Sequence, residues 1–301
     1  MATAREFAAM RRAIAISAQG LGSTSPNPPV GCVILDIEGK TVGEGYHVRK
    51  GESHAEVNAL AAAGERAQGG TAVVTLEPCN HFGRTPPCRA ALITAKVTRV
   101  IIAVTDPTSR GAGGTALLRE AGVDVEQDFL KNEALLVLDP WLASLKHDRP
   151  FVTWIYEGEP DGTPNSRDAA GAEFNEVRAI REAYDFVVHQ DGKIEEGNPG
   201  SHSTEAFQVP SEPLKGKPAE VLHMLGEAGA RTVLVRGASE YARTLHAVGA
   251  VDQVISYIPS TPHSWTPGES PIAIPEGYRL TDVTSQGGYV RMVGRLLPSV
   301  R

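Results

Sequence analysis

"GTAVVTLEPCNHFGRTPPCRAALITA", residues 70–95, decides how the chain is organised. Its opening "GTAVVTLE" is apolar and rich in β-branched residues, which predicts a buried strand. "CRAALITAKV" predicts a helix starting beside the second cysteine. Between them, "EPCNHFGRTPPC" (residues 77–88) holds two of the chain's three cysteines. The eight residues separating them include a histidine, an arginine and two prolines. A buried strand that enters a helix through so short and stiff a loop is a building unit of a layered α/β domain.

The flanking sequence repeats that alternation. Residues 4–20 predict a helix with Phe7, Met10, Ile14 and Ser17 on one face and Gly20 as its stop. "SPNPPVG" is a rigid loop, and "GCVILD" and "TVGEGYH" predict two strands joined by a turn at Glu38-Gly39. "HAEVNALAAAG" predicts a helix with Val57, Leu60 and Ala61 inward and Gly64 at its end. "RVIIAVTD", "TALLREAG" and "VDVEQD" follow as strand, helix and short strand. "KHDRPF" marks a boundary, giving domains over 1–147 and 148–301. The second half alternates again, with strands at "FVTWIY", "AYDFVVH", "TVLVRG" and "VDQVISYIP" and helices at "PAEVLHMLGEAG" and "SEYARTLHAVG". Its Gly/Pro/Ser-rich stretches at 157–172, 190–217 and 259–277 are longer than connections in compact domains usually are.

Composition narrows the classes. In 301 residues, 41% are hydrophobic and 22% charged, as in a packed globular protein. No apolar run is long enough to cross a bilayer, and the N-terminus reads as an amphipathic helix. Three cysteines do not make a secreted disulfide framework, so a reducing cytoplasm with free thiols is expected. The first 149 residues carry 16 basic and 16 acidic side chains, leaving 13 basic against 20 acidic and the whole net charge of −7. Neither half has the basic excess of a nucleic-acid binder.

The cysteine loop and "SHAE" together supply His54, Cys79 and Cys88. One imidazole, two thiols and an open fourth position form the pattern of a catalytic zinc, which activates a water there. Glu56, two residues from His54, is placed to take that water's proton and deliver it to a substrate nitrogen. His-x-Glu, Pro-Cys and a second Cys in this order match the zinc deaminases of nucleobases. The plainer alternative makes His54 a helix cap and the cysteines buried thiols, which is the reading Cys32 in "VGCVIL" receives.

With "NPPVG" (27–31), "GYHVRKGESHAE" (45–56) and "EPCNHFGRTPPC" (77–88), residues 4–145 closely resemble the deaminase half of the bifunctional riboflavin-biosynthesis deaminase/reductases. The resemblance implies a cytidine-deaminase-like three-layer αβα domain followed by a dihydrofolate-reductase-like α/β domain. It implies Zn2+, a homo-oligomer, and deamination of a diaminopyrimidinone bearing a ribosylamino 5-phosphate. It also implies substrate contacts for Asn27, His47, His81 and Arg84, with Arg84 meeting the phosphate. Taken alone, Asn27 also reads as a turn former, His47 as a strand-end surface residue and Arg84 as a solvated loop charge. The family's "DPNP" stands here as "DPTS" (106–109), so Thr108 and Ser109 depart from it.

"RPFVTWIY … DG" resembles the opening of the reductase half, which uses NADPH, and "TVLVRGASEYARTLHAVGAVDQVISYI" resembles its closing unit. Ile155 replaces the expected Lys and "EPDG" the expected Ser-Leu-Asp-Gly. "VHQDGK" (188–193) replaces a glycine-rich segment, and Arg236-Gly237-Ala238 replaces Glu-Gly-Gly. Glycines let backbone approach a pyrophosphate, whereas Gln190 and Asp191 add bulk and like charge. The expectation is a second domain without NADPH-dependent reduction. Two other readings stay open: a fully bifunctional enzyme, and a deaminase recruited to another pyrimidine or purine.

Overall fold

The computed structural model describes residues 2–81, 86–108, 113–159, 163–164, 175–202, 209, 216–260, 274–286 and 288–297. The chain divides into two compact units, Met1–Asp139 and Pro140–Arg301.

The first unit is built on β1 (Gly31–Leu35), β2 (Thr41–Tyr46), β3 (Thr71–Leu76), β4 (Arg99–Val104) and β5 (Asp124–Glu126), in sheet order β2-β1-β3-β4-β5. β1 runs antiparallel to both neighbours, while β3, β4 and β5 are parallel. The helices are α1 (Ala4–Ser17), α2 (Ala55–Ala63), α3 (Cys88–Thr94), α4 (Gly114–Glu120) and α5 (Lys131–His147), which spans the division between units. Alternation along β1 separates the faces. Cys32 and Ile34 share a core with Ala55, Ala59, Leu92 and Leu118 from α2, α3 and α4. On the other face, a Cβ at Gly31 would lie 2.1 Å from the Ala13 carbonyl oxygen of α1. The unit is therefore a three-layer αβα sandwich.

On α1 the expected inward positions Met10 and Ser17 are buried but Phe7 is not, and on α2 the inward face differs from the periodicity reading. α1 starts in a capping box between Thr3 and Glu6, and buries Ala9, Met10, Ala13 and Ile16. Phe7 stays 38% exposed and packs at a tilt on Phe129, with ring centroids 4.7 Å apart. α2 buries Ala55, Ala59 and Ala63, while Val57 and Leu60 are half-buried and Ala61 is exposed. A Cβ at Gly43 would stand 2.2 Å from the Ala59 carbonyl oxygen. Glycine on β2 lets alanine on α2 approach, so on this helix the small residues face in and the larger ones are displaced. Gly64 ends α2 at φ +57, as the sequence predicts.

The second unit is a mixed seven-stranded sheet. Its strands are β6 (Phe151–Glu157), β7 (Phe186–Val188), β8 (Ile194–Glu196), β9 (Thr232–Arg236), β10 (Gln253–Pro259), β11 (Tyr278–Gln286) and β12 (Tyr289–Leu296), in order β11-β12-β10-β6-β9-β7-β8. β10, β6, β9 and β7 are parallel, with antiparallel partners at both edges. Helices α6 (Asn175–Glu182), α7 (Pro218–Glu227) and α8 (Glu240–Ala247) complete it. Trp154, Tyr156, Phe186, Leu222, Leu225 and Leu245 share its main core. The β11–β12 hairpin escapes the sequence reading because much of it is wet: Val283 is exposed, and Arg291 pairs with Asp282 along it.

Candidate active site

Three elements converge beyond the C-terminal end of β3, the middle strand of the first sheet. The turn between β2 and α2 is held by Asn58, whose amide donates to the carbonyls of Tyr46 (2.9 Å) and Ser53 (3.3 Å). His54 is the residue just before α2, and its side chain makes no capping bond. Its Nδ1 faces Cys88 Sγ at 3.3 Å and Cys79 Sγ at 3.6 Å. Cys79 follows β3, and Cys88 opens α3 with its backbone N–H donating to Cys79 Sγ at 3.3 Å. Among the described residues these three form the one cluster with metal-ligand atoms within 4.8 Å of one another.

The donor set fits zinc. Tetrahedral coordination with bonds of about 2.0–2.3 Å places neighbouring ligand atoms about 3.5 Å apart, matching the imidazole–thiol separations. Two sulfurs and an imidazole are borderline-to-soft donors. Contact with the Cys88 thiol, then with His54, outweighs burial and lowers Cys79 below the ordinary thiol value. Cys88 is pushed up, first by sharing its proton with Cys79 and then by burial. Two adjacent thiolates repel one another, and a dication between them relieves that repulsion.

Glu56 lies in the first turn of α2 and is 3% exposed. Burial, then repulsion from Cys79, raises its carboxyl to about 7. It lines a cleft with Asn27, His47, His54, Cys79, His81 and Asp106. His47 Nδ1 lies 3.1 Å from the Ser53 carbonyl, which makes it the protonated nitrogen. Its Nε2 then accepts from the Asn27 amide at 3.3 Å. Burial lowers His47 to about 4, so it is neutral at pH 7. His81 Nδ1 is buried without a hydrogen-bond partner among the described residues, a polar atom suited to a ligand. Arg84 and Ser109 lie outside the described residues.

Sequence reasoning assigns no role to Glu77. The structure buries its carboxylate in the cleft wall, where it accepts from Thr115 and from the Asp106 backbone. These partners lie 29 and 38 residues away, beyond the reach of local spacing.

In the second unit, Ile155 is 2% exposed in the sheet interior. His189 to Lys193 form a turn closed by a 2.9 Å backbone hydrogen bond, with Asp191 accepting from the Lys193 amide. That turn lays Gln190 over Gly237: a Cβ there would meet Gln190 Cγ at 2.6 Å and Cδ at 2.7 Å.

Residues 4–104 match the family model described as "Cytidine and deoxycytidylate deaminase zinc-binding region". The riboflavin biosynthesis protein RibD of Mycobacterium tuberculosis (H37Rv) is 35% identical over 289 residues, covering 83% of this chain and 84% of that protein. A diaminohydroxyphosphoribosylamino-pyrimidine deaminase of Buchnera aphidicola (from Acyrthosiphon pisum) is 52% identical over 126 residues, 42% of this chain and 85% of that one. A Thermotoga maritima deaminase/reductase structure superposes with a TM-score of 0.77, covering 97% of this chain and 99% of that one; at 23% identity it shows the fold alone. In three further curated relatives the chain spans only 38–43% of their length. Matched to a RibD protein across more than four fifths of both sequences, the chain belongs to the bifunctional riboflavin-biosynthesis deaminase/reductase family.

Proposed function

We propose that the first unit hydrolytically deaminates 2,5-diamino-6-(5-phosphoribosylamino)pyrimidin-4-one or a close pyrimidine analogue, in a riboflavin-type pathway. The observation that carries this is the convergence of His54, Cys79 and Cys88 beside the buried Glu56 carboxylate in one cleft. The deaminase name of the Buchnera relative, matched at 52% identity, supports the substrate class.

His54, Cys79 and Cys88 would hold a zinc ion, which would supply the Lewis acid that makes water nucleophilic near neutral pH. Glu56 takes a proton from the water as its oxygen adds to the amino-bearing ring carbon, and passes that proton to the ring nitrogen. The water's second proton reaches the exocyclic amine by the same carboxylate. The carbon–nitrogen bond breaks, ammonia leaves and the carbonyl forms. Burial of Glu56 suits it to this exchange, because a carboxyl near neutrality both gains and loses a proton readily. Neutral His47 holds the Asn27 amide at the cleft wall, where Asn27 contacts the pyrimidine. His81 offers its unpaired nitrogen to the ring or its phosphate.

The second unit does not fit the NADPH that the family implies. A pyrophosphate needs bare backbone at the glycine turn, and Gln190 covers Gly237 there. No reductive step is assigned to it. The family resemblance supports a homo-oligomer. The two reduced thiols of the metal site support a cytoplasmic location. Among the described residues no helix is long and apolar enough to cross a membrane.

The test is ammonia release from zinc-loaded protein across pyrimidine and purine nucleotides. Fastest release from the diaminopyrimidinone is expected; a preference for a different ring would assign the site to that substrate instead.

A further inference from the structure

Glu77 directly follows β3, two residues before Cys79, and both its oxygens are engaged. Oε1 accepts from the Thr115 amide (3.1 Å) and the Thr115 hydroxyl (2.6 Å), at the start of α4. Oε2 accepts from the Asp106 amide (3.3 Å), just past β4. Glu77's own N–H donates to the Val104 carbonyl at 2.9 Å. A Cβ at Gly114 would stand 2.7 Å from the Pro78 carbonyl, so α4 begins directly against the peptide leading to Cys79. Glu77 and Thr115 are buried. Asp106 itself lines the cleft.

We infer that Glu77 is a positioning residue for the reaction: its carboxylate pins Asp106 and the start of α4 to the cysteine-bearing loop, so that Asp106 stands at a fixed place in the substrate cleft. The inference rests on the deaminase reading given above. A side chain tying only secondary structure would not need both oxygens on the two ends of one connection. A charged acceptor is specified because three donors meet it, two amides and a hydroxyl. An amide in its place accepts from Thr115 but turns an N–H towards the Asp106 N–H. Glu77→Gln therefore releases the Asp106 end selectively. His54, Glu56 and Cys88 lie on other elements, and Cys79 Sγ is separately engaged by the Cys88 amide and His54, so ground-state binding suffers more than chemistry.

The experiment compares Glu77→Gln, Thr115→Val and Thr115→Ser for zinc content, steady-state kinetics and backbone hydrogen exchange. Expected for Glu77→Gln is one zinc per chain, KM raised about tenfold and kcat within about threefold. Thr115→Val raises KM less, adds little to Glu77→Gln, and Thr115→Ser restores the wild-type value. Exchange quickens at residues 105–108 and not along α2. An unchanged KM with a lowered melting temperature, or loss of zinc from Glu77→Gln, would overturn the inference. If the wild type releases no ammonia, the deaminase reading falls. The exchange measurement then still decides: protection at Asp106 that survives Glu77→Gln contradicts the positioning role.

Discussion

Gly45 of β2 lies so near Ala59 of α2 that a Cβ on it would stand 2.4 Å from the Ala59 backbone nitrogen. This approach sets the height of α2 above the sheet, and α2 carries His54 and Glu56 at its start. Gly45→Ala must push the helix away, an overpacking cost of about 1–3 kcal/mol. The expected result is a melting temperature several degrees lower with weakened zinc retention under a competing chelator. A variant that melts and holds zinc as the wild type does would show that α2 is not set this way.

The three cysteines should separate cleanly. Cys79→Ser and Cys88→Ser are expected to drop zinc well below one per chain and ammonia release to background. Cys32 is fully buried in β1, so Cys32→Ala keeps zinc and loses only about 1 kcal/mol of packing. In chelator-stripped protein, Cys79 alone of the three is not fully buried and should alkylate first. Mass spectrometry of the labelled peptides, with and without zinc, measures this.

Acid stability should report Glu6. Burial pushes its carboxyl up, but the Thr3 amide and the Arg99 guanidinium outweigh that and hold it below its ordinary 4.5. The folded state therefore binds fewer protons than the unfolded one. The resulting stability is fully present above about pH 4.5 and is lost as pH falls through the lower folded value. Melting curves of wild type and Glu6→Gln should differ at pH 6 and converge near pH 3; a constant gap would contradict the linkage.

NADPH offers a test of the second unit. With Gln190 seated over Gly237, titration should give no saturable change in nicotinamide fluorescence, and no loss of its absorbance when the deaminated product is added. Gln190→Gly opens the turn and is the variant expected to show binding first. Saturable binding by the wild type would restore the bifunctional reading.

The sequence carries much of the first unit because its signals are local. Apolar runs such as "GTAVVTL" give β3 at Thr71–Leu76, and His54, Cys79 and Cys88 announce themselves by residue type and order. Packing partners distant in sequence do not. The alanine face of α2 follows from glycines on β2, and periodicity favours the larger Val57 and Leu60 instead. Glu77 reads as a loop residue until Asp106 and Thr115 are brought to it. In the second unit, β8 has only three residues, too few for an alternation signal.

Glu56 as the proton carrier beside a three-ligand zinc is the centre of the proposed chemistry. Glu56→Gln keeps the size of the side chain and removes the basic oxygen, so metal content and turnover separate. Zinc content and ammonia release from the diaminopyrimidinone should be measured on the same preparation. The prediction is one zinc per chain with release reduced at least a hundredfold, the usual range for a removed acid–base group. Near-wild-type release with zinc bound would contradict the account.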